Sequence, residues 1–519
     1  MRIPGLTLAL CGSLFAQVSV LTEGYDANRT QANLHETILN PSNVDPAHFG
    51  RLFTRKVDSS VYARPLIVSG LEINGAKHNV LFIATMGNSV YAFDADDPQN
   101  SKTYWRRQLG EPSAGNGWIG PETVGILATP VIDAESSTLY VVTKNAKSPE
   151  DQFQVHALDL QTGKSKFNSP QRVTFPFLNG PTLNGSSPGL QRAGLLLSQG
   201  VLYAAFAAIV PNPDPESQEG FVAAFDAKDL TKRLSTFQVT PKGNKGGIWQ
   251  AGRGLAADAA GNVYIATAGG SADAITDFGS SVVKLRARTL ERQDFFTPAN
   301  FDALHHGNID LGANGVTLIP DSNLAFAGGK EGVVYLLDRD HLGGLESASS
   351  APLQRFRASQ GCGLQDCAQT LGTAFWSHPG AANGDGTLYV WDKKDVLRAY
   401  PFSQQRFDTN PSSASSPSLK TLLSSGPTLS ANGSDLATGI VWAVTIDSED
   451  QAAQQPGTLR AFLATDVSRE LYNSQTEKSR DQSGNFTKFS PPVVANGKVY
   501  VVSQSGVISV YGLLPARKP

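Results

Sequence analysis

The chain has 519 residues, a formal net charge of −3 at pH 7, 40% hydrophobic residues, 50 glycines, 30 prolines and only 2 methionines. Frequent glycine and proline indicate many turns and few long helices, which favours an all-β fold, and the lack of clustered lysine and arginine argues against a nucleic-acid or anionic-membrane surface. At this length the chain forms either several domains or one large domain built from repeats.

The first 17 residues have the pattern of a secretory signal peptide. MRIPGLTLALCGSLFAQ carries a positive charge at Arg2, an apolar run from Leu6 to Phe15 and small residues near Ala16. A buried N-terminal strand is the alternative reading. No other stretch approaches the roughly 18 apolar residues of a membrane helix. We therefore expect a secreted or periplasmic protein without a membrane span, with a signal peptide over 1–17, an N-terminal extension over 18–50 and a single domain over 51–515.

Two kinds of apolar pentamer alternate along the predicted domain. The upstream kind is LFIAT (81–85), LYVVT (139–143), LYAAF (202–206), VYIAT (263–267), LAFAG (324–328), LYVWD (388–392), IVWAV (440–444) and VYVVS (499–503). The downstream kind is VYAFD (90–94), VHALD (155–159), VAAFD (222–226), VVKLR (282–286), VYLLD (334–338), LRAYP (397–401), LRAFL (459–463) and ISVYG (508–512). Rich in β-branched and aromatic residues and joined by turn residues, the pairs predict hairpins.

A further strand is predicted on each side of most hairpins, as in ATPVID (128–133) before and TYWRRQL (103–109) after. Four antiparallel strands repeated at regular spacing are typical of a β-propeller blade. The eighth unit has three strands, and LFTRKVD (52–58) has the pattern of the missing fourth. The sequence therefore predicts an all-β, eight-bladed propeller of four-stranded antiparallel blades, closed by an N-terminal strand, with seven blades as the alternative.

The cysteines predict one local disulfide. Cys11 would leave with the signal peptide, so that Cys362 and Cys367 in CGLQDC remain. An even pair in an exported chain favours a disulfide. Free thiols are the next alternative, followed by a metal site, for which no matching ligand pair is visible.

The repeat resembles a motif of the quinoprotein alcohol dehydrogenase-like superfamily. ALDLQTGKSKF (157–167) is similar to its docking motif, Ala-x-Asp-x-x-Thr-Gly followed by an aromatic residue. The resemblance implies that Asp159 and Gly163 make a turn and that the aromatic residue packs between blades.

A resemblance also extends over nearly the whole predicted mature chain. YDANRTQANLHETILNPSNV, FGRLFTRKVDSSVYARPLIV, GGIWQAGRG, NIDLGANGV and GGKEGVVYLLDRDHLGG are similar to an exported family of propellers with repeats like those that bind pyrroloquinoline quinone (PQQ). This resemblance implies the fold strongly and the cofactor weakly.

Loops at one mouth of the central channel are expected to carry any site. Charged residues beside tryptophans there suit a small polar or anionic ligand, and the same loops could bind a protein. Each residue also has a purely structural reading, as a turn cap or a packing residue. The candidates are Glu122, Arg192, Trp249, Arg253, Asp310, Lys330, Trp376 and His378.

A quinoprotein dehydrogenase needs a carboxylate base, Ca²⁺ ligands, a cation beside the quinone oxygens and flat faces around the ring. The family resemblance assigns the base to Asp310 and the cation to Lys330. The chain departs from the pattern elsewhere, because it has no adjacent cysteine pair, no asparagine in GGSADA (269–274) and no Cys-x-x-Cys-His haem motif. The first hypothesis is therefore a non-catalytic ligand- or protein-binding scaffold with no metal site. A divergent dehydrogenase of alcohols or sugars, using PQQ with Ca²⁺, is the alternative.

Overall fold

The computed structural model describes residues 17–99, 101–115, 123–146, 152–174, 189–207, 220–243, 246–359, 372–378, 385–419, 423–446 and 455–515. Within these ranges eight antiparallel sheets, each built on four blade strands, form the blades of a propeller. The fold class predicted from the repeats is confirmed, with eight blades and not seven.

The four strands of each blade are called innermost, second, third and outer, counted from the channel axis. From blade 1 to blade 8 the innermost strands are Leu66–Ile73, Val131–Asp133, Leu196–Ser198, Ala256–Ala257, Val316–Leu318, Gly372–Ser377, Thr428–Ser430 and Val493–Ala495. The second strands are Ala76–Ala84, Thr138–Asn145, Val201–Phe206, Val263–Ala266, Leu324–Gly328, Gly386–Trp391, Ile440–Ile446 and Lys498–Val501.

The predicted pentamers form the second and third strands of every blade. The third strands are Ser89–Asp94, Gln152–Asp159, Phe221–Asp226, Val282–Leu285, Val333–Asp338, Arg398–Ser403, Thr458–Leu463 and Val507–Leu513. The outer strands are Thr103–Gln108, Gln171–Arg172, Asp229–Gln238, Arg292–Thr297, Gln354–Arg357, Arg406–Phe407, Glu470–Asn473 and Phe49–Lys56.

Short elements complete the described part of the fold. Additional strands are Ala32–Asn33, Ser113–Ala114, Thr123–Val124, Gly344–Leu345, Ser413–Ala414 and Leu423–Ser424. The α-helices are Phe301–His306 and Lys478–Asp481, and the 3₁₀ helices are Gln250–Gly252, Leu311–Ala313 and Pro417–Leu419. None of the helices in the ranges given above is long or apolar enough to cross a membrane.

The hydrophobic core lies between neighbouring blades, because both faces of a blade are covered. Every residue of the third strand of blade 1, SVYAFD, is buried. One core cluster joins Val80 and Val90 of blade 1 to Leu139 and Leu158 of blade 2. This explains why the pentamers are continuously apolar and do not alternate with polar residues.

The turn of the docking motif holds blade 1 against blade 2. Asp159 accepts a hydrogen bond from the Thr162 backbone (3.0 Å), and Gly163 has a φ of 67°. The Trp105 indole of blade 1 donates to the Leu160 oxygen (2.8 Å). A Cβ on Gly163 would lie 2.7 Å from the Trp105 ring. The glycine is therefore required both by the turn and by the ring that packs on it.

The ring is closed by strands from both ends of the chain, as the sequence predicts. Phe49–Lys56 pairs antiparallel with Val507–Leu513 and completes blade 8. Asp481 fastens this junction, since its carboxylate accepts hydrogen bonds from the Arg51 backbone (2.9 Å) and the Tyr472 hydroxyl (2.8 Å). The pairing removes the two strand edges that an open ring would expose.

The channel has two unlike mouths. The innermost strands begin at one, here called the site mouth, and end at the other, the far mouth. Hairpins between second and third strands return to the site mouth. Residues 18–36 of the N-terminal extension run inside the channel. The start of this stretch, Val18, bonds to Asn496, and its end, Leu34 and Glu36, bonds to Gly433 and Gly497. All three partners lie in hairpins at the far mouth, so the stretch enters and leaves the channel at the same end. We call residues 18–36 the channel segment.

Candidate functional site

Five of the predicted residues lie at the site mouth because of their place in the blades. Asp310 precedes the innermost strand of blade 5, and Lys330 lies in the hairpin between its second and third strands. Trp249 and Arg253 precede the innermost strand of blade 4, and Arg192 precedes that of blade 3. The topology therefore brings residues from three blades to one end of the channel.

Lys330 and Asp310 form a buried ion pair under a tryptophan. The Lys330 ammonium lies 2.6 Å from the Asp310 carboxylate, and the two residues are only 6% and 9% exposed. The same ammonium donates to the Asn308 backbone oxygen (3.1 Å). It also lies 5.5 Å from the centre of the Trp249 ring, where the ring quadrupole attracts a cation. The pair is thus held from two sides.

The turn in GGIWQAGRG is strained. Gln250, Ala251 and Gly252 have φ values of 44°, 47° and 89°, a conformation that costs an L-residue roughly 1–2 kcal/mol. The Gln250 amide offsets part of this, because it accepts from the Ala266 N–H (2.9 Å) and donates to the Gly254 oxygen (3.0 Å). Strain of this kind concentrates at ligand sites. The turn fixes the predicted tryptophan and arginine that flank it.

Arg192 is buried among neutral oxygen atoms and aromatic rings. Its guanidinium donates to the backbone oxygens of Leu127 (3.1 Å) and Phe489 (3.2 Å) and lies 6.0 Å from the Tyr62 ring centre. A Cβ on Gly252 would overlap this guanidinium. The glycine of the strained turn therefore makes the space that Arg192 occupies.

Arg253 lies on the other side of the same turn. Its guanidinium donates to the Arg29 backbone oxygen (3.3 Å) and to the Thr373 hydroxyl (2.7 Å). Burial lowers the pKa of Arg253 to about 10, against the opposing effect of Glu23. Burial likewise lowers the pKa of Arg192 to about 10. Both arginines remain charged at neutral pH.

Glu23 of the channel segment supplies a negative charge beneath these arginines. Its carboxylate accepts from the Gln31 amide (2.6 Å), the Arg64 guanidinium (3.2 Å) and the Gly254 N–H (2.8 Å). Burial raises the pKa of Glu23. The positive charge of Arg64, and less strongly those of Arg29 and Arg253, lower the pKa by more than burial raises it, so that the net pKa lies below the usual value. Glu23 is therefore an anion in the folded protein.

A small cavity lies between the channel segment and the strained turn. It measures about 20 Å³, where one water molecule needs roughly 10–15 Å³ by the same measure. Its walls include Glu23 and Gln31 of the channel segment and Arg253 of the strained turn. Phe489 lines it as well and contacts the Trp249 ring, with 5.9 Å between ring centres. Phe489 therefore connects the cavity to the aromatic cover of the Lys330 pair.

Trp376 and His378 do not belong to this group, and their predicted place at the site mouth is wrong. Trp376 stands near the end of the innermost strand of blade 6 and pairs with Thr387 across the following hairpin, which is at the far mouth. Its indole is fully buried and donates to the Gly433 oxygen (3.1 Å). His378 contacts the Thr387 hydroxyl (2.8 Å), and burial lowers its pKa. Both side chains therefore lie at the far mouth, away from the other candidates.

Three predicted residues fall outside the described ranges. Glu122, the remaining site-mouth candidate, is one, and Cys362 and Cys367 of the predicted disulfide are the others. Residues 1–16 of the predicted signal peptide also lie outside. Among the residues that are described, no group of three or more His, Cys, Asp or Glu side chains is arranged to hold a metal ion.

Sequence reasoning missed the contribution of the N-terminal extension. Glu23, Arg29 and Gln31 stand in a polar stretch without strand periodicity, so that no pattern assigned them to the channel. Arg64, in the segment before the first blade, was missed for the same reason. The only signal was that YDANRTQANL formed part of the family resemblance.

Several solved structures are similar to this fold. A quinohemoprotein alcohol dehydrogenase from Comamonas testosteroni is 14% identical, with a TM-score of 0.59 over 96% of this chain and 81% of that chain. The quinohemoprotein alcohol dehydrogenase ADHIIG from Pseudomonas putida HK5 is 12% identical, with a TM-score of 0.53 over 96% and 82%. A europium-containing methanol dehydrogenase is 12% identical, with a TM-score of 0.52 over 93% and 81%.

The sequence comparisons add no family assignment. No model of a protein family matches the chain, and no curated protein matches it. The structural likeness shows that the chain shares the fold of these quinoprotein dehydrogenases, as the sequence resemblance implied.

Proposed function

We propose that this protein is a non-catalytic binding propeller that takes a small anionic ligand at the site mouth. The observation that carries the proposal is the pair of arginines on either side of the strained turn. Within the described residues, Arg192 and Arg253 donate hydrogen bonds to neutral oxygens and form no ion pair with a carboxylate. A buried cation with neutral partners is stabilised when an anion binds beside it.

The charges around the cavity support an anion over a neutral ligand. Arg29, Arg64, Arg192 and Arg253 are the buried cations around the channel segment, whereas Glu23 and Asp26 are the carboxylates that act on them. The excess is positive. Trp249 and Phe489 add the flat apolar faces that small-ligand sites commonly use.

Binding of formate and of inorganic phosphate, followed by calorimetry and by tryptophan fluorescence, tests this proposal, with formamide as the neutral control. We expect an anion to bind and the affinity to fall as salt is added. Arg253→Met should weaken binding at least about tenfold, the loss of one charged hydrogen bond. The matched control is the exposed Arg469→Met. Equal binding by Arg253→Met and Arg469→Met, or no binding of either anion, contradicts the proposal.

The alternative is a divergent PQQ-dependent dehydrogenase, favoured by the fold likeness and by the Asp310–Lys330 pair. The described residues do not fit the cofactor. Asp310, the candidate base, is already bound by Lys330 at 2.6 Å, and the Trp249 ring is contacted by both Lys330 and Phe489. The adjoining cavity of about 20 Å³ is far smaller than a three-ring molecule.

Incubation with PQQ and Ca²⁺ separates the two functions. The binding proposal predicts no quinone absorbance after gel filtration and no dye reduction with ethanol or glucose. Asp310→Asn serves as the control for any signal. A quinone absorbance with alcohol-dependent dye reduction that Asp310→Asn abolishes would establish the dehydrogenase and overturn the non-catalytic role.

A further inference from the structure

The innermost strand of each blade is an edge strand with backbone groups turned toward the axis. In an open channel these N–H and C=O groups would face water. Here the channel segment pairs with them blade after blade, in the order of the chain. Backbone N–H groups that donate to its carbonyl oxygens are Ile67 to Val20, Ile132 to Leu21, Ala257 to Ala27, Leu318 to Asn28, Phe375 to Thr30, Leu429 to Gln31, Ala431 to Asn33 and Gly433 to Leu34.

The two remaining blades are reached by side chains of the same segment. The Arg29 guanidinium donates to the Leu195 oxygen of blade 3 (3.4 Å). In blade 8, Val494 donates its N–H to the Tyr25 hydroxyl (2.8 Å), and its oxygen accepts from the Asn33 amide (2.9 Å). The segment thus bonds to the innermost strand, or the residue before it, in all eight blades.

Arg29 is the buried anchor of the segment. It is 0% exposed, and its guanidinium donates to the Leu255 oxygen (2.7 Å) and the Thr22 hydroxyl (2.8 Å). A Cβ on Gly254 would lie 2.6 Å from the Arg29 guanidinium carbon. The absence of a side chain at Gly254, before the innermost strand of blade 4, therefore leaves the space that the Arg29 guanidinium occupies.

Glu23 adds charge complementarity to this fit. The channel wall contributes Arg64, whose guanidinium lies 3.2 Å from the Glu23 carboxylate of the segment, and the charge of Arg253 acts on Glu23 from farther away. Pairing buried charges of opposite sign specifies which side chain can sit at this depth.

The conformation of the segment depends on the channel. Tyr25, Arg29 and Gln31 have φ values of 72°, 64° and 63°, a left-handed conformation that is strained in an L-residue. A free peptide would not hold three such residues within seven positions. The segment therefore takes its shape on binding, as a disordered ligand does when it folds onto its receptor.

We propose that the propeller channel is a peptide-binding site for a looped, arginine-anchored segment, and that residues 18–36 are its resident ligand, docked by noncovalent contacts after the ring has formed. This site adjoins the anion site, because Glu23 and Gln31 of the segment line the cavity there, but the segment's own contacts do not involve a small ligand. It would exist even if no small ligand bound there.

A cleavage experiment on the full chain tests the proposal. A specific protease sequence inserted at the exposed Ser42 allows the segment to be cut from the folded protein. We expect the N-terminal fragment to remain bound through gel filtration at about 1 μM and to appear by mass spectrometry in the propeller peak. Excess synthetic peptide of residues 17–42 should exchange with it, whereas the peptide carrying Arg29→Ala should exchange at least about tenfold less well.

A substitution series in the uncut chain gives a second readout. Arg29→Met should lower Tm by about 3 °C, because the buried oxygens that accept from its guanidinium lose their donor, and the exposed Thr37→Ala, one residue after the segment, should leave it within about 1 °C. Immediate loss of the cut fragment from a propeller with unchanged Tm would overturn the proposal. Equal exchange of the wild-type and Arg29→Ala peptides would also overturn it.

Discussion

Gly252 shows how one missing side chain organises the site mouth. Its φ of 89° is open to glycine alone without strain, and the space above its Cα is filled by the Arg192 guanidinium. The same residue lines the cavity beside Arg253. A single position thus sets the backbone of the turn, the place of one arginine and the shape of the cavity.

Gly252→Ala should destabilise the protein more than Gly200→Ala does. Gly200 also has a positive φ, 75°, but a Cβ there would meet no atom within 4 Å. Both changes introduce left-handed strain, and only Gly252→Ala adds overlap with Arg192. We expect a difference of about 1–3 kcal/mol in the free energy of unfolding, measured in urea. Equal losses would show that Arg192 is free to move away.

Substitution of Trp105 tests the contact between blade 1 and blade 2. Trp105→Phe keeps an aromatic ring against Gly163 but removes the indole N–H that bonds to the Leu160 oxygen. The buried oxygen then lacks its donor, which should cost about 1–3 kcal/mol. Chemical unfolding measures the change. The exposed Thr103→Ser on the same strand is the control and should stay within about 0.5 kcal/mol.

The strand Phe49–Lys56 shows how an element from one end of the chain is held at the other. Arg480 and Asp481 lie in a four-residue helix and occupy the space beside the Cα of Gly50. A Cβ on Gly50 would lie 2.6 Å from Arg480 Nε. Burial raises the pKa of Asp481. Hydrogen bonds from Arg480, the Arg51 N–H and Tyr472 together lower the pKa by more than burial raises it, so that the net pKa is below the usual value. The strand is therefore fastened by an ionised carboxylate.

Asp481→Asn should destabilise the protein in a pH-dependent way. A carboxylate with a lowered folded-state pKa contributes fully above its unfolded pKa of roughly 3.9 and loses that contribution as the pH falls through the folded value. We expect a loss of about 1.5–3 kcal/mol at pH 7 that shrinks below about pH 4. Urea unfolding across this range measures it. The exposed Asp302→Asn should stay within about 0.5 kcal/mol, and a constant Asp481→Asn loss would refute the ionic clasp.

The strands were predictable from the sequence, and the channel was not. Pentamers such as LYVVT and VHALD are continuously apolar because both blade faces are buried, and that signal is local. Arg29 and Leu255 are 226 residues apart, and nothing near Arg29 in the sequence indicates the contact. Trp376 was misplaced because the innermost strand of blade 6 is GTAFWS itself, which puts the tryptophan at the end of the strand.

The closed ring makes folding dependent on both ends of the chain. Blade 8 needs residues 49–56 from the beginning and residues 507–513 from the end, so its sheet cannot form until nearly all of the chain is available. Pairing at this sequence separation is slow. A chain stopped before residue 507 would have two unpaired strand edges in an otherwise complete propeller.

A chain ending at Gly506 should therefore associate, and one ending at Pro515 should not. The shorter chain exposes the edges of Phe49–Lys56 and Lys498–Val501, which are templates for pairing between molecules. Light scattering at equal concentrations measures association, and thermal unfolding measures the loss of blade 8. A monomeric shorter chain with the Tm of the longer one would show that the ring does not need this strand.

The channel segment also makes the two mouths of the channel unequal in access. Because residues 18–36 bond to the innermost strand, or to the residue before it, in all eight blades, they lie between the far mouth and the cavity. A surface, lipid layer or neighbouring protein that covered the site mouth would enclose a ligand bound there. Anchoring through residue 17, on the opposite side, would leave it open.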